Sequence, residues 1–306
     1  MNRTASLKEM DAPSRMATPP PCQVEEEVKT DSLLSVYLLP PLLLVGCMVA
    51  FYSHMQEQFQ ESLKVDPYVD PFKQVSWSAP IAFSVAYLSF LYFGKMYMRT
   101  REQPFEMKHF IVTYNAYQCI LNLWCVLGVI HEVYTNPIFV GAWGNTPEPS
   151  AAGFRISFLV WVHYNNKYVE LLDSVFMVLK KKDKQLSFLH CYHHVMLIWA
   201  WFLVCRVEAT GDSFFGATVN SFIHVIMYSY YTLALLGVPT PWKKWITTCQ
   251  MIQFAVCLSH SVYVYYMDTM PVVLSYAQAF VMVNMLYLFG QFYKKSYAAS
   301  AGKKKA

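Results

Sequence analysis

The feature that most constrains the fold is a series of apolar segments, each about 20 residues long, that recur from position 33 onward. Each segment is long enough to cross the hydrocarbon core of a bilayer as an α-helix. Of the 306 residues, 55% are hydrophobic and only 14% are charged, whereas soluble domains are about 25% charged. The pattern predicts an all-α, polytopic membrane helical bundle with seven core spans. The predicted spans are 78–98, 109–133, 156–179, 187–206, 214–237, 243–266 and 271–292.

The N-terminal region has a different character from the seven core spans. The segment 33–52 is long enough to span a membrane, but Pro40 and Pro41 in its middle would kink or break a helix. An eighth crossing and a re-entrant or interfacial segment therefore both stay open. The predicted organisation is a disordered tail on the cytosolic or lumenal side (1–32), an additional apolar segment and loop (33–75), a membrane domain (76–295) and a basic cytosolic tail (296–306).

Lysine and arginine are concentrated in alternate loops between the predicted spans. The clusters are Lys95, Arg99, Arg101 and Lys108, then Lys180, Lys181, Lys182 and Lys184, then Lys243 and Lys244. The intervening loops, 134–154, 207–213 and 267–270, are free of basic residues except Arg155 and Arg206 at their borders. Positively charged loops stay on the cytosolic side of a membrane, so these loops and the C-terminal tail are predicted to be cytosolic.

The last four residues, Lys303-Lys304-Lys305-Ala306, are typical of a dilysine retrieval signal, which predicts an endoplasmic reticulum membrane protein. A plain basic flank to the last span is the alternative. The net charge of +4 is small and divided among short clusters, so nucleic acid is not an expected partner.

Three imidazoles, His190, His193 and His194, lie at the mouth of one apolar span. On a helix they fall within an arc of roughly 100°, so they can converge on one reacting group. Ionisable groups at membrane depth are costly to bury and are functional candidates by default. The run therefore predicts a site.

Three further polar groups interrupt apolar helices. The first has charged residues at a spacing of three, which places them along one slowly turning face; a structural ion-pair network and a catalytic role both stay open. The second aligns an amide, an imidazole and two phenols on one side of a helix. The third is a pair of glutamines, for which interhelical hydrogen bonding is favoured. The three groups are Lys167, Glu170 and Asp173; Asn220, His224, Tyr228 and Tyr231; and Gln250 and Gln253.

Two chemistries fit histidines at the mouth of a membrane bundle. A di-iron desaturase or hydroxylase uses HxxHH spacing, but it needs further histidine boxes, and the remaining histidines here are scattered; no metal site is predicted. Acyl transfer needs only an imidazole as nucleophile or general base on a thioester. A polytopic lipid transporter is the alternative from another class, although the chain lacks the repeated halves and broken helices typical of transporters.

Taken together, these motifs resemble the ELO family of fatty acid elongases, the 3-ketoacyl-CoA synthases of the endoplasmic reticulum. Its KxxExxDT pattern matches Lys167, Glu170 and Asp173, with Ser174 where the family has threonine. The other patterns are HxxHH at His190, His193 and His194, HxxMYxYY from His224 to Tyr231, and TxxQxxQF from Thr247 to Phe254.

The resemblance implies condensation of an acyl-CoA with malonyl-CoA to a 3-ketoacyl-CoA two carbons longer, with release of CO2 and CoA. His193 is expected to carry the acyl chain as an acyl-imidazole, with His224 facing it. The wider catalytic set is His190, His194, Lys167, Glu170 and Asp173, and the substrate-binding set is Gln185, Asn220, Tyr228, Tyr231, Gln250 and Gln253. No cofactor is expected beyond the two CoA co-substrates. Expected partners are the lipid bilayer and the ketoacyl-CoA reductase, hydroxyacyl-CoA dehydratase and enoyl-CoA reductase of the same cycle.

The substrate is predicted from finer features of the resemblance. Gln185, five residues before His190, is similar to the branch of the family that acts on polyunsaturated chains. The run 163–173 and the Trp199-Ala200-Trp201 sequence look like microalgal elongases of such chains. An 18-carbon Δ6-polyunsaturated acyl-CoA is the favoured substrate, with a 20-carbon Δ5 chain second.

Overall fold

The computed structural model describes residues 75–298, which are helical apart from short connections. The helices are α1 (Ser78–Thr100), α2 (Lys108–Thr135), α3 (Ala151–Glu170), α4 (Leu172–Leu179), α5 (Phe188–Val207), α6 (Ser213–Leu235), α7 (Lys243–Met267) and α8 (Val272–Tyr293). A short π-helical turn, Lys294–Ala298, follows α8. The expectations for the tail 1–32, the apolar segment 33–52 and the last eight residues lie outside the described residues.

Six of the seven predicted spans each correspond to one helix, the third corresponds to two, and the all-α membrane bundle is confirmed. Four helices in the described part of the chain are long and apolar enough to cross a membrane by length and composition: α1, α2, α5 and α8 with its extension to Ser296. The other three long helices, α3, α6 and α7, carry buried polar residues such as Lys167, Asn220 and Gln253. Their lower hydropathy has a structural cause, because these polar groups point into the bundle.

The third predicted span, 156–179, begins earlier, at Ala151, and is divided at Leu171 into α3 and α4. The Leu171 N–H donates to the Tyr168 carbonyl (3.3 Å), and the Ser174 N–H donates to the Leu171 carbonyl (3.1 Å). Both bonds reach back three residues, as in a 3₁₀ turn, which winds more tightly than an α-helix. The turn changes the direction of side chains after Leu171 relative to those on α3.

The loops separate into two groups at opposite ends of the bundle, as their charge predicted. At one end the Phe105 N–H donates to the Leu179 carbonyl (3.1 Å), and Lys181 contacts the Arg101 carbonyl, so two basic loops meet. At the other end the Asp212 N–H donates to the Asn145 carbonyl (3.1 Å), so two loops without lysine or arginine meet.

The bundle has an apolar exterior and a partly polar interior. Large apolar side chains such as Phe93 and Ile120 are more than 60% exposed on the outer surface. Within the bundle, 25 polar or charged residues between positions 75 and 298 are buried. A bilayer solvates such an exterior, and hydrogen bonds between helices must satisfy the interior.

Candidate active site

A buried ion pair occupies the last turn of α3. Lys167 Nζ donates to Glu170 Oε1 (2.8 Å) and to Asn220 Oδ1 on α6 (2.9 Å). Asn166 Nδ2 also donates to Glu170 Oε1 (3.1 Å). Lys167 and Glu170 are each 1% exposed, so each charge relies on the other and on these amides. The ion pair that the three-residue spacing allows is thus present between Lys167 and Glu170.

His224 approaches the same carboxylate from α6. Its Nδ1 lies 3.1 Å from Glu170 Oε1, although the angle is too bent for a regular hydrogen bond. His224 follows Asn220 by one helical turn, so both face α3. Glu170 is therefore the point at which the charged motif of α3 meets the HxxMYxYY motif of α6.

Asp173 has a different set of partners from Lys167 and Glu170. Its Oδ2 accepts a hydrogen bond from the Tyr228 hydroxyl (2.8 Å), which lies 3.4 Å from the hydroxyl of Tyr114 on α2. Asp173 therefore bonds to a tyrosine on α6, whereas Lys167 and Glu170 pair with each other. The turn at Leu171 lies between the ion pair and Asp173.

The first histidine of the run is fixed by a chain of hydroxyl groups. The Ser187 side chain caps α5 by accepting from the His190 N–H (3.2 Å). His190 Nε2 lies 2.8 Å from Ser174 Oγ, and Ser174 Oγ lies 2.8 Å from the Tyr87 hydroxyl. This chain links α1, α4 and α5, and it restrains both the orientation of the imidazole and the position of its proton.

The three imidazoles are adjacent, but they face different surroundings. The ring centroids of His190 and His194 are 4.5 Å apart, and those of His193 and His194 are 5.4 Å apart. Of the three, His193 is the one that lines a cavity between α5, α6, α7 and α8. Among the described residues, no group of three or more His, Cys, Asp or Glu side chains is arranged to hold a metal ion.

The cavity lies between α5, α6, α7 and α8, and about 880 Å³ of unfilled space, part of it continuous with the exterior, separates the side chains that line it. On α5 its lining runs from His193 to Val204, about 16 Å along the helix axis. Most of the wall is apolar, including Leu197, Trp201, Phe254, Val281 and Met285. The apolar part of the wall therefore extends along α5 from the position of His193.

Two of the predicted substrate-binding residues line this cavity. Gln253, 5% exposed on α7, and Asn220 on α6 both border it near His193. Gln250 instead donates to the sulfur of Met227 (3.9 Å), which is the interhelical contact expected for these glutamines.

The remaining predicted substrate-binding residues lie elsewhere. Tyr228 is fully buried beside Asp173. Tyr231 is 38% exposed and packs its ring 5.9 Å from that of Tyr228. Gln185 is exposed in the loop before α5.

Two residues that complete the site lie outside the four motifs. Gln118 on α2 is fully buried and accepts from Asn166 Nδ2 (2.8 Å). His163 on α3 lies 2.9 Å from Ser221 Oγ and packs edge-on against the Trp201 ring. Each has other polar residues within about one turn of its own apolar helix, so the signal that could have found them is a group of polar side chains at membrane depth, where their burial is costly.

Comparison with known proteins agrees with the motifs. The profile described as "ELO: GNS1/SUR4 family" matches residues 72–305. Very long chain fatty acid elongase 4 of Mus musculus is 34% identical over 232 residues, covering 74% of this chain and 74% of that protein. Very long chain fatty acid elongase 5 of Bos taurus is 35% identical over 218 residues, covering 70% of this chain and 72% of that protein.

The match includes all four motifs and every helix described above. The chain belongs to the ELO family, and it is a multi-pass membrane fatty acid elongase, a very-long-chain 3-oxoacyl-CoA synthase.

Proposed function

We propose that this elongase condenses a polyunsaturated long-chain acyl-CoA with malonyl-CoA through an acyl-imidazole formed on His193. The observation that carries the assignment is the position of His193, the one histidine of the HxxHH run that lines the apolar cavity. An acyl group on its ring would direct the tail between α5, α7 and α8. There the intermediate is kept from the water that would hydrolyse it.

The proposed reaction has two halves. In the first, the His193 imidazole attacks the thioester carbonyl, a C–N bond forms, the C–S bond breaks, and CoA leaves with a proton. In the second, malonyl-CoA loses CO2, and the resulting carbanion attacks the acyl carbonyl. A C–C bond forms, the C–N bond breaks, and the imidazole nitrogen takes up one proton from the medium as the 3-ketoacyl-CoA is released.

The surrounding groups would position and stabilise these steps. His194 packs against both neighbouring imidazoles, and Ser174 holds His190 in place. Lys167 and Glu170 would fix the position of His224 on the facing helix. Asn220 lines the cavity and accepts from Lys167 Nζ, so it joins the ion pair to the reaction site.

For the acyl chain we favour an 18-carbon Δ6-polyunsaturated substrate, with a 20-carbon Δ5 chain second. The support is the sequence around Gln185 and residues 163–173, together with the cavity wall. Trp201, Phe254 and Met285 contribute aromatic and thioether surfaces, which adapt well to a bent chain.

We also propose an endoplasmic reticulum location with the basic loops and the C-terminus in the cytosol. Both CoA substrates would then reach the histidine run from the side of the Lys180–Lys184 loop. The keto product requires reduction, dehydration and a second reduction, so the three enzymes of those steps are the expected functional partners.

The test uses purified protein in detergent, incubated with 18-carbon Δ6 and 20-carbon Δ5 acyl-CoAs and labelled malonyl-CoA. Mass spectrometry should detect the 3-keto product, and in the absence of malonyl-CoA it should detect an acyl group on His193. His193→Ala should abolish both signals. The matched control is His131→Ala, an exposed histidine on α2, which should retain both.

An acyl adduct on His224 in place of His193 would overturn the assigned nucleophile. Equal turnover of saturated and polyunsaturated chains would overturn the proposed substrate class. A desaturase would instead consume O2, and a transporter would retain lipid flux in the His193→Ala variant.

A further inference from the structure

The end of the cavity farthest from His193 combines apolar residues with polar ones, whereas its middle is apolar. Five polar residues from the start of α6 and from helices α7 and α8 line this end and are called here the distal cluster: Asp212, Ser213, His260, Ser275 and Gln278. An unsubstituted acyl chain ends in a methyl group, which cannot form hydrogen bonds with polar neighbours.

The Asp212 carboxylate already accepts hydrogen bonds from the neighbouring loop. Its Oδ2 accepts from the Gly144 N–H (2.8 Å), and its Oδ1 accepts from the backbone and side-chain nitrogens of Asn145 (2.8 and 2.7 Å). His260 Nε2 lies 3.6 Å from Asp212 Oδ2, beyond hydrogen-bonding distance. The carboxylate therefore anchors the loop, and it also faces His260 Nε2 at a separation longer than a regular hydrogen bond.

The His260 imidazole lies between two oxygen acceptors. Gln278 Nε2 donates to the Cys257 carbonyl (3.1 Å), which leaves Oε1 facing His260 Nδ1 at 3.4 Å. The Asp212 carboxylate faces Nε2. Because a neutral imidazole carries its proton on either nitrogen, His260 can offer a donor or an acceptor at Nε2.

Two atoms of the distal cluster are buried without a hydrogen-bond partner, namely His260 Nε2 and Ser275 Oγ. His260 is 2% exposed and Ser275 is 3% exposed. Ser275 precedes Gln278 by one helical turn on the same face of α8, so it faces the same space. Buried polar atoms of this kind are rare, and each calls for a partner.

We propose that the distal cluster is a subsite for a hydroxyl group at the ω end of the acyl chain, so that ω-hydroxyacyl-CoAs are a substrate class of this elongase. A hydroxyl both donates and accepts, so one such group can pair with His260 Nε2 in either tautomer and with the Ser275 hydroxyl, the two atoms that lack a hydrogen-bond partner. The inference rests on the proposed function, in which His193 carries the acyl chain and the tail fills the cavity.

The test compares pairs of acyl-CoAs of equal length that differ only by an ω-hydroxyl, over a series of chain lengths. The ratio of kcat/KM for the hydroxylated to the unsubstituted chain should peak at the length that reaches Ser275. Ser275→Ala should lower that peak about tenfold, as expected for the loss of one buried hydrogen bond. His260→Phe should lower it as well. Both substrates are measured on one preparation, so any misfolded fraction cancels in the ratio.

The matched control is Ser259→Ala on α7, an exposed serine whose hydroxyl bonds to the Ala255 carbonyl of its own helix. Its ratio should equal that of the wild type at every length. A ratio that is flat with chain length and insensitive to Ser275→Ala would overturn the subsite.

Chains with a double bond near the methyl end provide a further comparison. If these chains, and not the hydroxylated ones, lost turnover in Ser275→Ala, the subsite would recognise unsaturation and the proposal would be wrong. Failure of the wild type to extend any unsubstituted acyl-CoA would overturn the proposed function itself, which separates the two inferences.

Discussion

Ser174 stands where the KxxExxDT pattern has threonine, and its hydroxyl connects three helices. It lies between the Tyr87 hydroxyl and His190 Nε2, at 2.8 Å from each, and is fully buried. Ser174→Ala removes both bonds and frees the His190 ring. We expect kcat to fall about tenfold, equivalent to one hydrogen bond of about 1.4 kcal/mol, with KM little changed.

Ser174→Thr is the matched comparison because it restores the family residue and keeps the hydroxyl. Steady-state condensation rates should place it near the wild type. An alanine variant as fast as the wild type would show that the Tyr87–Ser174–His190 chain has no role in positioning the imidazole.

Lys167 and Glu170 have a structural role in addition to any catalytic one. Lys167→Met would leave the Glu170 carboxylate buried without its cation, at a cost of about 3–5 kcal/mol. We expect a clear drop in Tm in detergent, measured by intrinsic fluorescence. Lys95→Met is the control, since its pair with Asp183 (3.3 Å) is exposed, and such pairs contribute about 1 kcal/mol or less. Equal Tm values for the two variants would contradict this argument.

At the scale of elements, the turn at Leu171 sets the orientation of two motif residues. An alanine inserted after Leu171 would rotate α4 by about 100° relative to α3. Asp173 would lose Tyr228, and Ser174 would lose His190. We expect loss of condensation with retention of helical content by circular dichroism.

The control for this variant is an alanine inserted after Lys184, in the exposed loop before α5. It should retain most of the activity, because the loop can absorb one residue. If both insertions were equally active, the turn would not determine the geometry of the site.

Hydropathy was sufficient to predict the helices, because an apolar run of about 20 residues has few other structures available in a membrane. The turn at Leu171 could not be predicted, since neither proline nor glycine marks it. Motif spacing predicted the Lys167–Glu170 pair but not the partners of Asp173, which depend on that turn. The distal cluster had no motif at all: His260 and Ser275 are brought together by the packing of α7 on α8.

At the scale of the whole molecule, the sorted loops allow the proposed orientation to be tested. Lys182→Cys and Thr146→Cys place exposed thiols in loops at opposite ends of the bundle. In sealed microsomes with the cytosolic face outward, a membrane-impermeant maleimide should label Cys at position 182 at once. Labelling at position 146 should require permeabilisation, with the unsubstituted chain as background. The reverse pattern would invert the proposed topology.

The polar contacts that join α3 to α6 limit which substitutions this protein can accept. Lys167, Asn220, Glu170 and His224 connect two helices of a bundle in lipid, where burial of apolar surface contributes little to helix association. Asn220 also lines the cavity that His193 lines. A substitution among these residues that alters the proposed chemistry would therefore also alter assembly, whereas along the apolar cavity wall a side chain can change shape without separating the helices.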